Sequence, residues 1–134
     1  MGLPENKEIY RRYQQALRRP DMLAEVLAPE FVAYDMAPGT GTNEFVKYRR
    51  AVMASFPDQS GEILDIVAEG DRVAARSRTD QTHSGVFRGL PPSGKRFSFE
   101  VYEIVQIKEG RIAARWVALK PTMDEIAAEL ARSG

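Results

Sequence analysis

The sequence predicts an α+β domain in which helices pack on one face of an antiparallel sheet. Three observations carry this. Apolar residues in the first half recur at helical spacing, and from Glu62 onward the period shifts toward two. Gly70-Asp71 and Glu109-Gly110 then punctuate the second half as tight turns between strands.

The elements follow in order. Glu5 to Arg19 carries Ile9, Tyr10, Tyr13, Ala16 and Leu17 on one helical face, and Pro20 ends it. Asp21 is placed to cap a short second helix through Leu27, which Pro29 stops. Phe31 to Asp35 alternates briefly, as a short strand does, and Pro38-Gly39-Thr40-Gly41 is a loop. A third helix brings Phe45, Val46, Arg49, Val52, Met53 and Phe56 near one face and closes at Pro57. Glu62–Glu69, Arg72–His83, Phe97–Lys108 and Arg111–Leu119 read as strands. The stretch from Gly85 to Lys95 holds two Pro and three Gly and is a loop or a bulged excursion. Thr122-Met123-Asp124-Glu125 fits a capping box that opens a last helix, Met123 to Arg132.

A chain of 134 residues fits one domain, 1–134, with one core. Nineteen Lys and Arg balance nineteen Asp and Glu, so no field of one sign favours nucleic acid or an anionic membrane. With no Cys there is no disulfide or thiolate chemistry, and a single His, His83, argues against a His-rich metal site. No apolar run approaches a membrane span, and Met1-Gly2-Leu3-Pro4-Glu5 lacks the apolar core of a signal peptide. The simplest expected address is the cytoplasm.

A set of short motifs in a fixed order says more. Phe56-Pro57-Asp58 is followed by Ala68-Glu69-Gly70-Asp71-Arg72-Val73, then Arg76, then Thr82-His83-Ser84-Gly85, then Pro92-Ser93-Gly94-Lys95, and finally Trp116. Their order and spacing resemble the SnoaL-like polyketide cyclases of the nuclear transport factor 2-like superfamily, over roughly Asn6 to Trp116. The resemblance implies a cone: a curved antiparallel sheet whose N-terminal helices enclose an apolar pocket. It also implies a homodimer paired through the outer sheet face, a small apolar or aromatic ligand, and catalysis without cofactor or metal. The best-known activity of such proteins is an intramolecular aldol ring closure in aromatic polyketide pathways, and relatives include hydroxylases, epoxide hydrolases and isomerases. Fold alone does not choose among them.

The chain departs from the cyclase pattern at its acid–base pair. The family's general base is an Asp about four residues after the strand Trp, and that position is Lys120. The His that the cyclases place on the preceding strand aligns with Gln106. Asp35, beside Tyr34 and before a flexible loop, is the best replacement base, its alternative role being to cap that loop. Lys120 shares strand parity with Trp116 and Ala118. If that face is the pocket, Lys120 supports an enolate oxygen or pairs with Asp35; otherwise it is a solvated strand end. His83 is either a hydrogen-bonded structural residue or an acid–base group. Tyr10, Tyr13, Tyr34, Phe56, Phe99, Tyr102 and Trp116 are candidates for an aromatic pocket wall, and Arg76, Glu100 and Gln106 for its polar contacts. Glu100 and Glu103 have opposite parity, so a regular strand turns at most one of them inward.

Three functions stay open: a cofactor-free cyclase or isomerase working by proton transfer on a polyketide-like substrate in secondary metabolism; an epoxide-opening or hydroxylating enzyme with Asp35 and Glu100 as paired carboxylates; and a binding or dimerising protein without chemistry. Two buried carboxylates at one pocket would favour the second.

Overall fold

The structure, a computed structural model, describes residues 2–132, so the ends of the expected 1–134 domain lie outside the described residues. Helix α1 (Leu3–Leu17) is followed by a 3-10 turn (Pro20–Met22), α2 (Leu23–Val26), β1 (Leu27–Ala33) and α3 (Thr42–Ser55). Then come β2 (Ser60–Glu69), β3 (Arg72–Thr82), β4 (Arg96–Lys108), β5 (Arg111–Lys120) and α4 (Met123–Arg132). The sheet order is β1-β5-β4-β3-β2. Strands β2 to β5 form an antiparallel meander, and β1 joins β5 in parallel at one edge. No helix among the described residues is long and apolar enough to cross a membrane.

Two elements differ from the sequence expectation. Strand β1 starts at Leu27 and runs through Pro29, because an edge strand tolerates a residue without an N–H. Asp21 caps no helix: it sits in the 3-10 turn and accepts a 2.8 Å bond from Arg50 of α3. The capping box is present as expected, with Glu125 N–H donating to Thr122 Oγ1 at 3.2 Å.

The core forms where α1 lies across the sheet. Ile9, Tyr10, Tyr13, Ala16 and Leu17 meet Val73, Ala75, Val105, Ile107 and Ile112, all buried. A second cluster sits at the other end, where Ile126 and Leu130 of α4 cover Phe99 with Phe87, Phe97 and Leu119 around them.

The β4–β5 hairpin sets which residues face inward. Glu109 and Gly110 both take positive φ, +51° and +78°, as a two-residue type I′ turn requires. Lys108 pairs with Arg111 and Ile107 with Ile112, but Gln106 then pairs with Ala114, so Ala113 is an extra residue. This bulge reverses the alternation of the rest of β5. Beyond it, Arg115 pairs with Val105, Val117 with Glu103 and Leu119 with Val101, all on the inner face, while Trp116, Ala118 and Lys120 face outward.

Candidate active site

A cavity of about 470 Å³ opens between the inner sheet face and helices α1, α3 and α4. Its apolar wall includes Leu17, Val52, Phe56, Phe87, Phe99, Val101, Val117 and Leu119. Thr79 and Gln81 of β3 add neutral polar groups, and Asp35, Met36 and Ala37 contribute from the loop after β1.

The polar centre is built on one guanidinium. Arg115, turned inward by the bulge, donates Nε–H to Asp35 Oδ1 at 2.9 Å and Nη2–H to Asp35 Oδ2 at 2.7 Å. Its Nη1–H donates to the Tyr13 hydroxyl at 3.0 Å. The pairing of β1 with β5 places these residues together: Ala33 is in register with Arg115, and the Tyr34 N–H donates to the Arg115 carbonyl. Phe45 supplies an aromatic face 4.6 Å from the guanidinium carbon. The pair is largely shielded, with side chains 9% and 14% exposed.

Glu103 completes the centre from β4. Its Oε2 accepts from Tyr13 at 2.6 Å and its Oε1 from Tyr10 at 2.8 Å and from Gln14 Nε2 at 3.1 Å. Arg115 Nη1 lies 3.8 Å from Oε2. Burial pushes the Glu103 carboxyl above the usual Glu value, opposed by Arg115 and the two tyrosine hydrogen bonds. Burial and the neighbouring Glu103 push Tyr10 up as well, so its phenol stays protonated. Tyr13 is also raised, by burial above all, against the pull of Arg115. For Arg115 burial acts downward, but Tyr13, Asp35 and Glu103 outweigh it and hold the guanidinium charged.

A second polar run borders the cavity. Arg49, 8% exposed, donates Nε–H and Nη2–H to the Leu17 carbonyl at 3.0 and 2.8 Å, satisfying an end carbonyl of α1. Its Nη2 also donates to Gln59 Oε1 at 2.8 Å, and Gln59 donates on to Gln81 Oε1 at 2.6 Å.

Of the residues singled out in the sequence, Asp35, Phe56 and Phe99 line this cavity. Tyr10 and Tyr13 lie one layer back and hold Glu103. His83 is fully buried behind Phe56 and Phe87, where its Nδ1 accepts from the Ser93 N–H at 3.3 Å and meets Ser93 Oγ at 3.0 Å. It is not among the cavity residues.

The placement of the remaining candidates is corrected. Lys120 and Trp116 point to the outer face because of the extra residue at Ala113. There Trp116 stacks on the exposed Tyr34 at 5.1 Å and carries Arg72 5.0 Å from its ring. Arg76, Glu100, Tyr102 and Gln106 share that face. Arg76 bridges Asp65 and Glu100 at 2.8 and 3.1 Å, Tyr102 donates to Glu100, and Gln106 donates to Asp71. The inward carboxylate of β4 is therefore Glu103 and not Glu100.

The sequence reading missed the roles of Glu103, Arg115, Arg49, Gln14, Gln59 and Gln81. A signal for Glu103 was present: Phe97, Phe99, Val101, Val105 and Ile107 share its parity, so it is a lone charge on the apolar face of β4. Arg115 carried no such signal, since regular alternation from Ile112 turns it outward.

Residues 7–120 match the family model described as SnoaL-like polyketide cyclase. The chain belongs to that family, and its architecture is the nuclear transport factor 2-like fold. Among solved structures it is similar to AclR, a candidate hydroxylase from Streptomyces galilaeus, at 26% identity and a TM-score of 0.85, covering 98% of this chain and 83% of that one. It is also similar to IdmH, a candidate polyketide cyclase from Streptomyces antibioticus, at 27% identity and a TM-score of 0.76, covering 92% and 98%. A SnoaL-like polyketide cyclase candidate from Jannaschia shares the fold at 19% identity, with a TM-score of 0.82 and coverage of 98% and 94%. A comparison with curated protein sequences gave no match. A cyclase-like or hydroxylase-like role holds at the level of the family.

Proposed function

We propose that this protein is a small-molecule enzyme that closes or rearranges a ring in a polyketide-like substrate by proton transfer, without a cofactor. The observation that carries this reading is the Asp35–Arg115 pair, shielded from water and opening on a cavity of about 470 Å³. Asp35 takes a proton from the carbon beside a substrate carbonyl. The guanidinium has spent three N–H groups on Asp35 and Tyr13, and of its five, two remain for the enolate oxygen. The carbanion attacks a second carbonyl, a carbon–carbon bond forms, and the alkoxide recovers the proton from Asp35. Phe56, Phe87 and Phe99 supply an apolar bed for an aromatic ring system. The reading places the protein in secondary metabolism, in the assembly of an antibiotic-like polyketide.

A second reading, epoxide opening, draws on Glu103. Two shielded carboxylates share one guanidinium, and the upward push on Glu103 suits a proton donor to the epoxide oxygen while Asp35 activates water. Product mass separates the chemistries: it is unchanged in cyclisation, gains a water in epoxide opening and gains one oxygen atom in hydroxylation.

The test offers aromatic polyketides and epoxide-bearing terpenoids to the native protein and to Asp35→Asn, following binding and product mass together. Turnover lost with binding kept supports the acid–base reading. Full turnover in Asp35→Asn sinks it, and binding without turnover in either protein makes this a ligand-binding protein.

We also propose that two copies pair through the outer sheet face. Val67, Tyr102 and Ile104 stand 62%, 39% and 43% exposed there, around a shallow groove floored by Ala74 and Ala118 beside Trp116.

A further inference from the structure

The charges around the cavity do not balance locally. Asp35 and Glu103 are both engaged with Arg115. Arg88, at the mouth, is paired with Asp124 at 2.7 Å. That leaves Arg18 and Arg49, which also line the cavity and form no ion pair with a carboxylate among the described residues. Arg49 is buried and spends its bonds on a backbone carbonyl and on Gln59, both neutral. The Arg18 Nε is buried with no hydrogen-bond partner. An unpaired buried guanidinium is costly; Arg49 is one, and the half-buried Arg18 brings a second unpaired cation to the same cavity. Desolvation above all lowers both; for Arg49, Tyr48 and Tyr13 oppose it while Arg115 and Arg18 add to it, and the guanidinium comes down to about 10.

The backbone also makes room for Arg18. A Cβ on Gly61 would lie 2.1 Å from the Arg78 carbonyl oxygen and 3.0 Å from Arg18 Nη2. The missing side chain lets the guanidinium settle against β2 at the cavity edge. Arg18 follows α1 directly, and Arg49 holds the last carbonyl of α1, so one helix end positions both cations.

We propose that the substrate carries a carboxylate, which Arg18 and Arg49 receive at the end of α1 while the reacting carbonyl lies at Asp35 and Arg115. A planar carboxylate accepts charge-assisted bonds from both guanidiniums and supplies the counter-charge that the protein withholds. The inference rests on the proposed function for which pocket is used, and adds the class of molecule that enters it.

Titration calorimetry with 2-naphthoate and with its neutral isostere 2-naphthamide tests it. The native protein binds the naphthoate about tenfold or more tightly than the amide. Arg18→Gln brings that ratio down toward unity with little change for the amide, and Arg18→Lys restores part of it. Thermal unfolding of each variant separates lost affinity from lost fold, and if Arg18→Gln does not fold, the native ratio together with Arg18→Lys decides. Equal affinity for the two probes in the native protein, or no binding of the naphthoate, overturns the inference. Asp35→Asn keeps the preference. A preference kept alongside full turnover in Asp35→Asn would leave the anion site standing and remove the catalytic reading. Turnover of a neutral substrate with no naphthoate preference would do the reverse.

Discussion

The Asp35 carboxylate meets the Arg115 guanidinium edge to edge, through two hydrogen bonds of 2.9 and 2.7 Å. Asp35 comes from the loop after β1 and Arg115 from the middle of β5, 80 residues later. The parallel pairing of those strands brings them together, so the proposed base is held by the sheet edge itself.

Replacing Asp35 by Asn keeps the shape and removes the charge. Turnover should fall by about 10²–10⁴-fold, the usual weight of a positioned acid–base group. Binding of a product-like aromatic should change far less. Single-turnover kinetics beside equilibrium titration resolves the two.

Arg115→Met leaves two carboxylates facing each other without their cation. Loss of one partner from a buried pair costs about 3–5 kcal/mol. Lys120→Ala, five residues on but across the sheet, should stay within about 0.5 kcal/mol and keep turnover. Chemical denaturation of both variants checks the contrast, and equal losses would mean that the two faces are wrongly assigned.

Glu103 links stability to pH. Its carboxyl is raised in the folded state by burial, so the folded protein holds that proton more tightly than the unfolded chain does. This contribution is complete below the ordinary Glu value and is lost as pH rises through the folded one. Glu103→Gln cannot ionise. The stability advantage of the native protein over Glu103→Gln should therefore shrink from acidic toward neutral pH, as read by denaturant midpoints along a pH series. An advantage that grows instead would show that the carboxylate, and not the acid, is the favoured buried form.

Deleting Ala113 would restore regular alternation to β5. Ala114 would then follow Ile112 directly and keep Gln106 as its partner, so Arg115, Val117 and Leu119 would stay inward and Trp116 and Lys120 outward. The expected result is a protein that still unfolds cooperatively, followed by circular dichroism, and loss of that transition would mean that Ala113 is not the extra residue. Ala113→Gly, which keeps the extra residue, should cost about 1 kcal/mol or less.

The proposed pairing of two copies predicts a dimer in solution. Ile104→Glu places a charge on the exposed apolar face and should shift the protein to monomer, as measured by light scattering after size exclusion, while leaving the inner cavity intact.

Most of the architecture was legible in the sequence because its signals are local. Helical spacing from Ile9 to Leu17, the Glu109-Gly110 turn and the Thr122-to-Glu125 capping box each depend on residues a few positions apart. The site was less legible because it depends on register. Nothing in Arg111-Ile112-Ala113-Ala114-Arg115 marks Ala113 as the residue without a partner, and that single choice decides whether Arg115 or Trp116 meets the pocket. Asp35 could be read because a loop residue after a strand needs no parity argument. Glu103 could have been read too, had its lone charge among Val101, Val105 and Ile107 been weighed above its distance from the family motifs.

For protein engineering, the extra residue in β5 works like a shift of reading frame. Positions 115, 117 and 119 address the ligand, while positions 116, 118 and 120 address the outside of the molecule. A mutagenesis library that counted evenly from the hairpin would diversify the wrong half of the strand and return variants altered in association and solubility, with their chemistry untouched. One that counts from Arg115 can recast the chamber through Val117 and Leu119 and leave the exterior as it is.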